Sequence, residues 1–551
     1  MESPRRNISE KENIKRALMY SAMAVLTGCG GDKKETAAAP AEGNTTAAVT
    51  EAAKTEAETT AAVQTEAGGE KNLVMPSASC VANLNPLLEG YKEAAMLNPI
   101  YDPLYVIDVN ETRYYLADSY EVSEDGMQIT VKLKEGLKWH DGEAITADDM
   151  IFTMDVCSDT NNGAGGTNIV ILNDQPVKYE KVDDLTVKVT LPMASASYAD
   201  LLGGLTLIPE HVFEGNPSVV SAGEANMKGI GSGPYKVTEF KQDEYLLLEK
   251  YEDYYMGAPS IDKVTFRIIS DLSAQEVALM NGEVNFMELA NAPAVAKYEA
   301  DPNFTVVKYP EGRVNYLAVN KFCETVQDPK VVEAVFAALN RDEIIAGAYG
   351  DGMAESANSI FSNVNTFYDP SVEGYTQDVE KAKQLVKETG LDSKTLTLYF
   401  NSERVYMKES AQIIQQQLKN VGINLEVIPL ESAGFFEKVF GTDGDYEFYL
   451  NGYGAVGDPD QVVAGMYDGT WGVNLAVSDE VSQLWKDART VYTPEERAAI
   501  YKQIQIQTRD ELTCYPIAYP NYVFVTTSNI KGADTIKRTP VFEDYTKLTM
   551  E

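Results

Sequence analysis

Histidine is almost absent from this chain of 551 residues: His140 and His211 are the only two. That scarcity removes most histidine-based acid–base chemistry and any multi-histidine metal site. Cysteine is sparse as well, at Cys29, Cys80, Cys157, Cys323 and Cys514, and no two stand at the spacing of a zinc knuckle or redox pair. Basic residues are outnumbered, with 46 Lys and Arg against 84 Asp and Glu and a formal net charge of -38. A surface this acidic repels phosphate backbones, so nucleic acid is a poor partner. No apolar run approaches the ~20 residues of a membrane-spanning helix. Phosphate loops of the GxxxxGK type, HExxH, GxSxG and CxxC are all missing. Among so many carboxylates no single pair is informative, and the weight moves from catalysis to binding. What remains is 44% hydrophobic and 24% charged, as a soluble globular protein requires, and long enough for two or three domains.

The first residues have a distinct character. Arg5, Arg6, Lys11, Lys15 and Arg16 precede a short apolar run, Ala17 to Leu26, that ends in Leu26-Thr27-Gly28-Cys29. Charge, a short apolar core and small residues before a cysteine, in that order, resemble a bacterial lipoprotein signal. Residues 1–28 are then a signal peptide, and Cys29 is the lipidation site and new N-terminus. Two acyl chains suffice for stable anchoring, where one is marginal. A buried helix with a chance cysteine is the plainer alternative. Residues 29–70 continue as the acylated cysteine and a Thr, Ala, Glu and Gly-rich stretch with almost no large apolar side chain. Such a stretch cannot bury enough surface to offset its ordering entropy and is expected to be a disordered spacer.

From Lys71 the sequence turns globular. Thr146 and Asp149 have the spacing of a capping box, and Asp328-Pro329 has the cap and first-turn proline of another helix start. Strand–helix–strand grammar occurs twice. The first unit runs through Val264–Ile269, Ser273–Asn281 and Val284–Met287, and the second through Leu396–Phe400, Tyr406–Asn420 and Ile423–Ile428, with Gly282 and Gly422 closing the helices. Two such units far apart predict two α/β lobes. Ligands of open α/β sheets bind beyond the carboxyl ends of the strands. Asn401-Ser402-Glu403-Arg404 follows one such end, and as residues it fits either a ligand loop or an ordinary polar loop with a cap. Gly229, Gly231 and Gly233 precede a proline and read as a tight turn rather than a dinucleotide site.

Several segments occur together in one order. Leu133-Lys134-Glu135-Gly136-Leu137-Lys138-Trp139-His140-Asp141-Gly142 is followed by Ile145-Thr146-Ala147-Asp148-Asp149. Then come Ile208-Pro209-Glu210-His211, Gly231-Ser232-Gly233-Pro234-Tyr235, Tyr251 to Ile269 through Gly257-Ala258-Pro259, and the helix Asp328 to Ile345. Asp458-Pro459-Asp460 and Glu495-Glu496-Arg497 with Tyr501 complete the series. This series resembles the family 5 extracellular solute-binding proteins of bacterial ABC importers, which take up oligopeptides, dipeptides and nickel. Glu333 stands where the family usually has arginine, and Asn340-Arg341 where Asp-Arg is usual.

The resemblance implies a two-lobed α/β fold of the periplasmic-binding-protein type (type II, cluster C-like), with a hinge and an extra small domain. Lobe I would comprise residues 71–98, 206–312 and 513–551, the small domain 99–205, and lobe II 313–512. It further implies a monomer on the outer face of the cytoplasmic membrane that captures a small solute, peptide first, and delivers it to a permease and ATPase complex. No catalytic residue, cofactor or metal is implied, and His140 belongs to a structural signature. Ser79 and Cys80 lie in the early loop where family members offer backbone groups to ligand. The family's peptide binders pair the peptide amine with an aspartate before the Asp-Pro turn, and here Ala455 holds that place. Asp458 could serve instead, in a loop that begins Tyr453-Gly454, or the ligand has no free amine there. Tyr453 and Trp471 are candidates to stack on ligand, with core packing as the alternative. Trp471 stands in a polar loop with Asn474, which favours the cleft. Arg313 or Arg404 could hold a ligand carboxylate, or be ordinary surface arginines. A non-peptide solute, a sensory receptor on the same fold, a secreted hydrolase and a chaperone or adhesion role are the competing readings. The remaining four cysteines allow three pairings and are expected to be mostly free and buried.

Overall fold

The computed structural model describes residues 70–88, 96–107, 111–172, 174–454, 457–468, 475, 477–535 and 544–551. Cys29, the signal and spacer, Ala455, Trp471 and Asn474 lie outside these residues. The first lobe is built on a four-stranded sheet in which Asn72–Ser77 runs parallel to Lys263–Ile268, followed by the antiparallel strands Tyr245–Lys250 and Tyr235–Lys241. The helix Leu272–Met280 follows, capped by Asp271, whose side chain accepts from Ala274 N–H, and the short strand Phe286–Glu288 resumes beyond it.

The second lobe contains the other strand–helix–strand unit. Thr395–Asn401 pairs in parallel with Asn424–Leu430 and with Phe448–Gly454, and the helix Val405–Asn420 connects the first two. Met407, Ala411, Ile414 and Leu418 bury one face of that helix, the three-to-four-residue spacing of an amphipathic helix. Arg313–Val319 lies antiparallel to Phe448–Gly454. Its Leu317 and Val319 enter one core and its Val314, Tyr316 and Ala318 another, so the period-two alternation of a strand fills both faces of the sheet.

The lobes are joined by two crossings. The chain passes once through Glu311-Gly312, where Gly312 has φ +73°, between the strands Phe304–Pro310 and Arg313–Val319. The second crossing is inside one long strand, Cys514–Thr527. Its first half pairs with Arg313–Val319 and Ala354–Ser356 of the second lobe. Its second half, from Asn521, pairs with Phe304–Pro310 and Phe286–Glu288. The strand's ladder changes partners at Pro520-Asn521, beyond the expected boundary after residue 512.

Residues between 99 and 205 hold a separate four-stranded antiparallel sheet of Ala117–Val122, Gln128–Leu133, Thr186–Thr190 and Lys178–Asp183. The helix Ala147–Ser158 packs on it, starting with the capping box of Thr146 and Asp149. The glycines of the 229–233 turn are used differently from the expectation. A Cβ on Gly231 would stand 2.0 Å from the Ile100 carbonyl oxygen, and Gly233 N–H donates to that oxygen at 2.8 Å. Backbone contact, more than turn conformation, demands glycine here. His140 completes the joint. Its Nδ1 accepts from Gly231 N–H at 3.2 Å, so Nε2 carries the hydrogen donated to Gly233 carbonyl at 2.9 Å. Burial pushes the imidazole down to about 4, so it stays neutral.

Asp102 sits in the same joint, 5% exposed, accepting from Tyr254 and Tyr255 hydroxyls at 2.9 and 2.8 Å. Burial pushes its carboxyl up to about 7, opposed by the two hydroxyls and by Lys134 and aided by Asp544. From about pH 4 to about pH 7 the native protein thus holds a proton that the unfolded chain has released. The stability Asp102 contributes is greatest below the unfolded value of 3.8 and falls as pH rises to about 7. Asp102→Asn keeps an acceptor and removes the charge. Its stability relative to wild type should rise by about 1–3 kcal/mol between about pH 5 and about pH 8. Thermal denaturation at the two pH values checks this, and a pH-independent difference would refute it.

Candidate functional site

Both lobes direct the same ends of their parallel strands at the hinge. In the second lobe Asn401 and Gly454 are carboxyl-terminal strand residues, and Arg313, opposite Gly454, is the first residue after the crossing. In the first lobe Ser77, Ile268 and Glu288 end the strands that lie beside the second half of the crossing strand or pair with one another. The crossings Pro310-Glu311-Gly312 and Pro520-Asn521 lie between the two sets. This is the crevice in which open α/β sheets hold ligands.

Ser79, Cys80, Arg313, Asn401, Arg404 and Gly454 all fall at these ends. Ser79 is exposed and its carbonyl accepts from Ser77 Oγ at 2.7 Å. Cys80 is half-buried and Cys157, Cys323 and Cys514 are buried, and none of the four is in a disulfide. Asn401 is 1% exposed, donates to Ser432 Oγ at 2.8 Å and accepts from Glu403 N–H at 3.0 Å, which fixes the loop after the strand. Arg313 Nε donates to Glu311 Oε1 at 3.1 Å.

Arg404 is the electrostatic anomaly of the crevice. It is 5% exposed, and its guanidinium donates to Tyr406 hydroxyl at 3.2 Å. No carboxylate among the described residues lies within ion-pairing distance of it. An arginine this little exposed is nearly always paired with an anion. Tyr406 stacks on Tyr349 with ring centroids 5.3 Å apart, and Tyr349 hydroxyl accepts from Asn315 Nδ2 at 2.8 Å. Asn315 Oδ1 is buried with no partner and lies against Gly452, where a Cβ would come within 2.0 Å of it. A buried cation and a buried open acceptor thus stand at the two ends of one chain of contacts.

Two candidates are corrected. Tyr453 is 3% exposed; its hydroxyl donates to Ile360 carbonyl at 2.7 Å and meets Tyr467 hydroxyl at 3.0 Å. It packs in the core beneath the sheet, its ring 5.1 Å from that of Tyr316, and cannot stack on a ligand. Asp458 is not available to a ligand amine. Arg497 takes both its oxygens, at 2.6 and 3.0 Å, and the residue also caps the helix Pro459–Val462 through Asp460 N–H. Asn315, Tyr349 and Tyr406 were not anticipated. The only available sign was Tyr406, two residues beyond Arg404. Among the described residues no group of three His, Cys, Asp or Glu could hold a metal ion, and no helix is long and apolar enough to cross a membrane.

Two α/β lobes joined by two crossings, with parallel-strand ends towards the hinge, are the architecture of a periplasmic-type binding protein. The family model for bacterial extracellular solute-binding proteins, family 5, middle region, matches residues 111–474. The structure superimposes on the ABC transporter substrate-binding protein CtaP of Listeria monocytogenes with a TM-score of 0.81 and 33% identity, covering 87% of this chain and 99% of that one. The oligopeptide-binding protein AppA of Bacillus subtilis, solved with a nonapeptide, gives 0.68 and 26% over 88% and 99%. The dipeptide-binding protein of Escherichia coli strain K12 is 27% identical over 499 residues, 84% of this chain and 92% of its own. This chain belongs to the family 5 extracellular solute-binding proteins. It is an extracytoplasmic binding component of an ABC importer and not an enzyme.

Proposed function

We propose that the solute is a peptide or peptide-like molecule, and that its carboxylate is held by Arg404 at the crevice. The observation that carries this reading is Arg404, a nearly buried residue whose guanidinium has no acid beside it among the described residues. The naming of similar proteins as dipeptide- and oligopeptide-binding supports the substrate class. Arg313, Asn401, Gly454 and the Ser79–Cys80 backbone complete the surface in this reading, with Ala455, Trp471 and Asn474 as further candidates. Closure brings both lobes onto the solute, which selects the closed form through contacts with each. Residues 71–98, 206–312 and 521–551 act as one lobe, 313–520 as the other and 99–205 as the extra domain. The molecule works as a monomer, anchored through acylated Cys29 after removal of residues 1–28, and passes its cargo to the permease.

The amine end is treated differently from the carboxylate end. Ala455 supplies no carboxylate, and Asp458 is committed to Arg497. Acetylating the peptide amine should therefore weaken binding less than about tenfold, since no buried carboxylate is left unpaired. A thermal-shift screen of peptides, N-acetyl peptides, oligosaccharides and metal chelates tests the proposal. Peptides, acetylated or free, are expected to raise the melting temperature. Stabilisation only by sugars or chelates would overturn the peptide reading, and stabilisation only by peptides with free amines would overturn the account of the amine end.

A further inference from the structure

The small domain touches both lobes, and its contact with the second lobe is not accounted for by ligand binding. It is fastened to the first lobe by the His140, Gly231 and Gly233 joint and by Asp102 with Tyr254 and Tyr255. On its other side the segment Ser195–Asp200 meets the second lobe. Ser197, fully buried, donates to Asp460 Oδ2 at 2.8 Å and accepts from Gln461 Nε2 at 2.5 Å. Asp200 Oδ2 accepts from Asp458 N–H at 3.0 Å, and Ala196 N–H donates to Arg489 carbonyl at 2.9 Å. Arg489 in turn binds the other oxygen of Asp460 and Asp468. Tyr492 hydroxyl reaches Gly126 carbonyl at 3.3 Å.

In the reading of capture by closure, these contacts join the two bodies that part when the lobes open. The loop they grip, Gly457 to Gln461, begins three residues after Gly454 at the crevice. Apart from the Tyr492 ring, which lies against Gly126, the groups named on either side are polar and can be satisfied by water once the bodies part. A contact of that kind suits a reversible closure better than a permanent domain interface, which would be larger and more apolar.

We propose that Ser197 and Asp200 form a latch that holds the second lobe against the small domain in the closed form, making them positioning residues for solute capture. They touch no solute. They act by raising the population of the closed state, and apparent affinity scales with that population. This gives the extra domain a task in binding itself. The inference rests on the reading of solute capture by closure.

The test uses the whole protein with Ser197→Ala/Asp200→Ala, which removes both side-chain partners of the contact, and independently with Gln461→Ala from the other side. Two readouts are taken: small-angle scattering without solute, and stopped-flow kinetics with a stabilising peptide from the thermal-shift screen. The expected result is a larger radius of gyration than wild type without solute, and dissociation faster by roughly 5–30-fold with association little changed. Unchanged scattering and unchanged dissociation in both variants would overturn the latch. If no peptide binds the wild type, the capture reading fails, while the scattering of the unliganded variants still decides the latch. A variant that does not fold is recognised by circular dichroism, and the other then decides.

Discussion

Replacing Arg404 with alanine should abolish useful binding of a peptide with a free carboxylate while leaving the unliganded protein as stable as before, or more so. The two effects have one cause. In the structure Arg404 is 5% exposed, and among the described residues its guanidinium has a tyrosine hydroxyl, not an acid, for a partner. Removing such a charge relieves an unfavourable burial. In the complex the same side chain pairs with the ligand carboxylate in a water-poor setting. Truncating one member of such a pair lowers affinity by about 2–5 kcal/mol, or from roughly 30-fold to several thousand-fold. Arg404→Lys should recover only part of the loss, because an ammonium does not reproduce the two-pronged guanidinium geometry. Calorimetric titration with parallel thermal melts measures both quantities. A fall in melting temperature of the unliganded variant, with affinity preserved, would show that Arg404 is structural.

The largest loss of stability is expected at Arg497. Its guanidinium binds both oxygens of Asp458, and it stacks over Phe367 and Tyr501 with its carbon 4.9 and 5.3 Å from the ring centroids. Both members of the pair are almost fully buried. Arg497→Met leaves the Asp458 carboxylate stranded, and breaking a buried pair from one side lowers stability by about 3–5 kcal/mol. The double variant Asp458→Asn/Arg497→Met should lose clearly less than the sum of the two single changes, because no unpaired charge remains. Denaturant unfolding of the three variants checks this. Additive losses would mean that the two residues contribute independently and that the pair is not the unit.

That pair also explains where reading the sequence succeeded and where it stopped. Asp458-Pro459 and Glu495-Glu496-Arg497 were each legible as local motifs, yet nothing local says that Asp458 and Arg497, 39 residues apart, neutralise each other. Asp458 therefore looked free for a ligand amine. The strand–helix–strand units were legible because amphipathic spacing and closing glycines are local, and the helix Val405–Asn420 begins within a residue of its expected start. The crossing inside Cys514–Thr527 was not legible. A strand that changes partners at Pro520-Asn521 keeps one continuous apolar pattern, and the exchange is recorded only in the ladder. Tyr453 was misjudged for a related reason. A tyrosine at a strand end faces either crevice or core according to what packs beneath the sheet, here Tyr316, Tyr467 and Ile360. The latch left no trace either. Ala194-Ser195-Ala196-Ser197 carries no charge and no large apolar side chain to mark it, and Ser197 meets Asp460 across 263 positions of sequence.

In the proposed reading a ligand carboxylate is what Arg404 lacks. The most direct measurement is a calorimetric titration of the purified protein with a tripeptide and with the same tripeptide amidated at its C-terminus. The amide should bind at least ~30-fold more weakly than the free acid, the loss that follows from an unpaired buried guanidinium. Equal affinities for the two, or no binding of either, would contradict it.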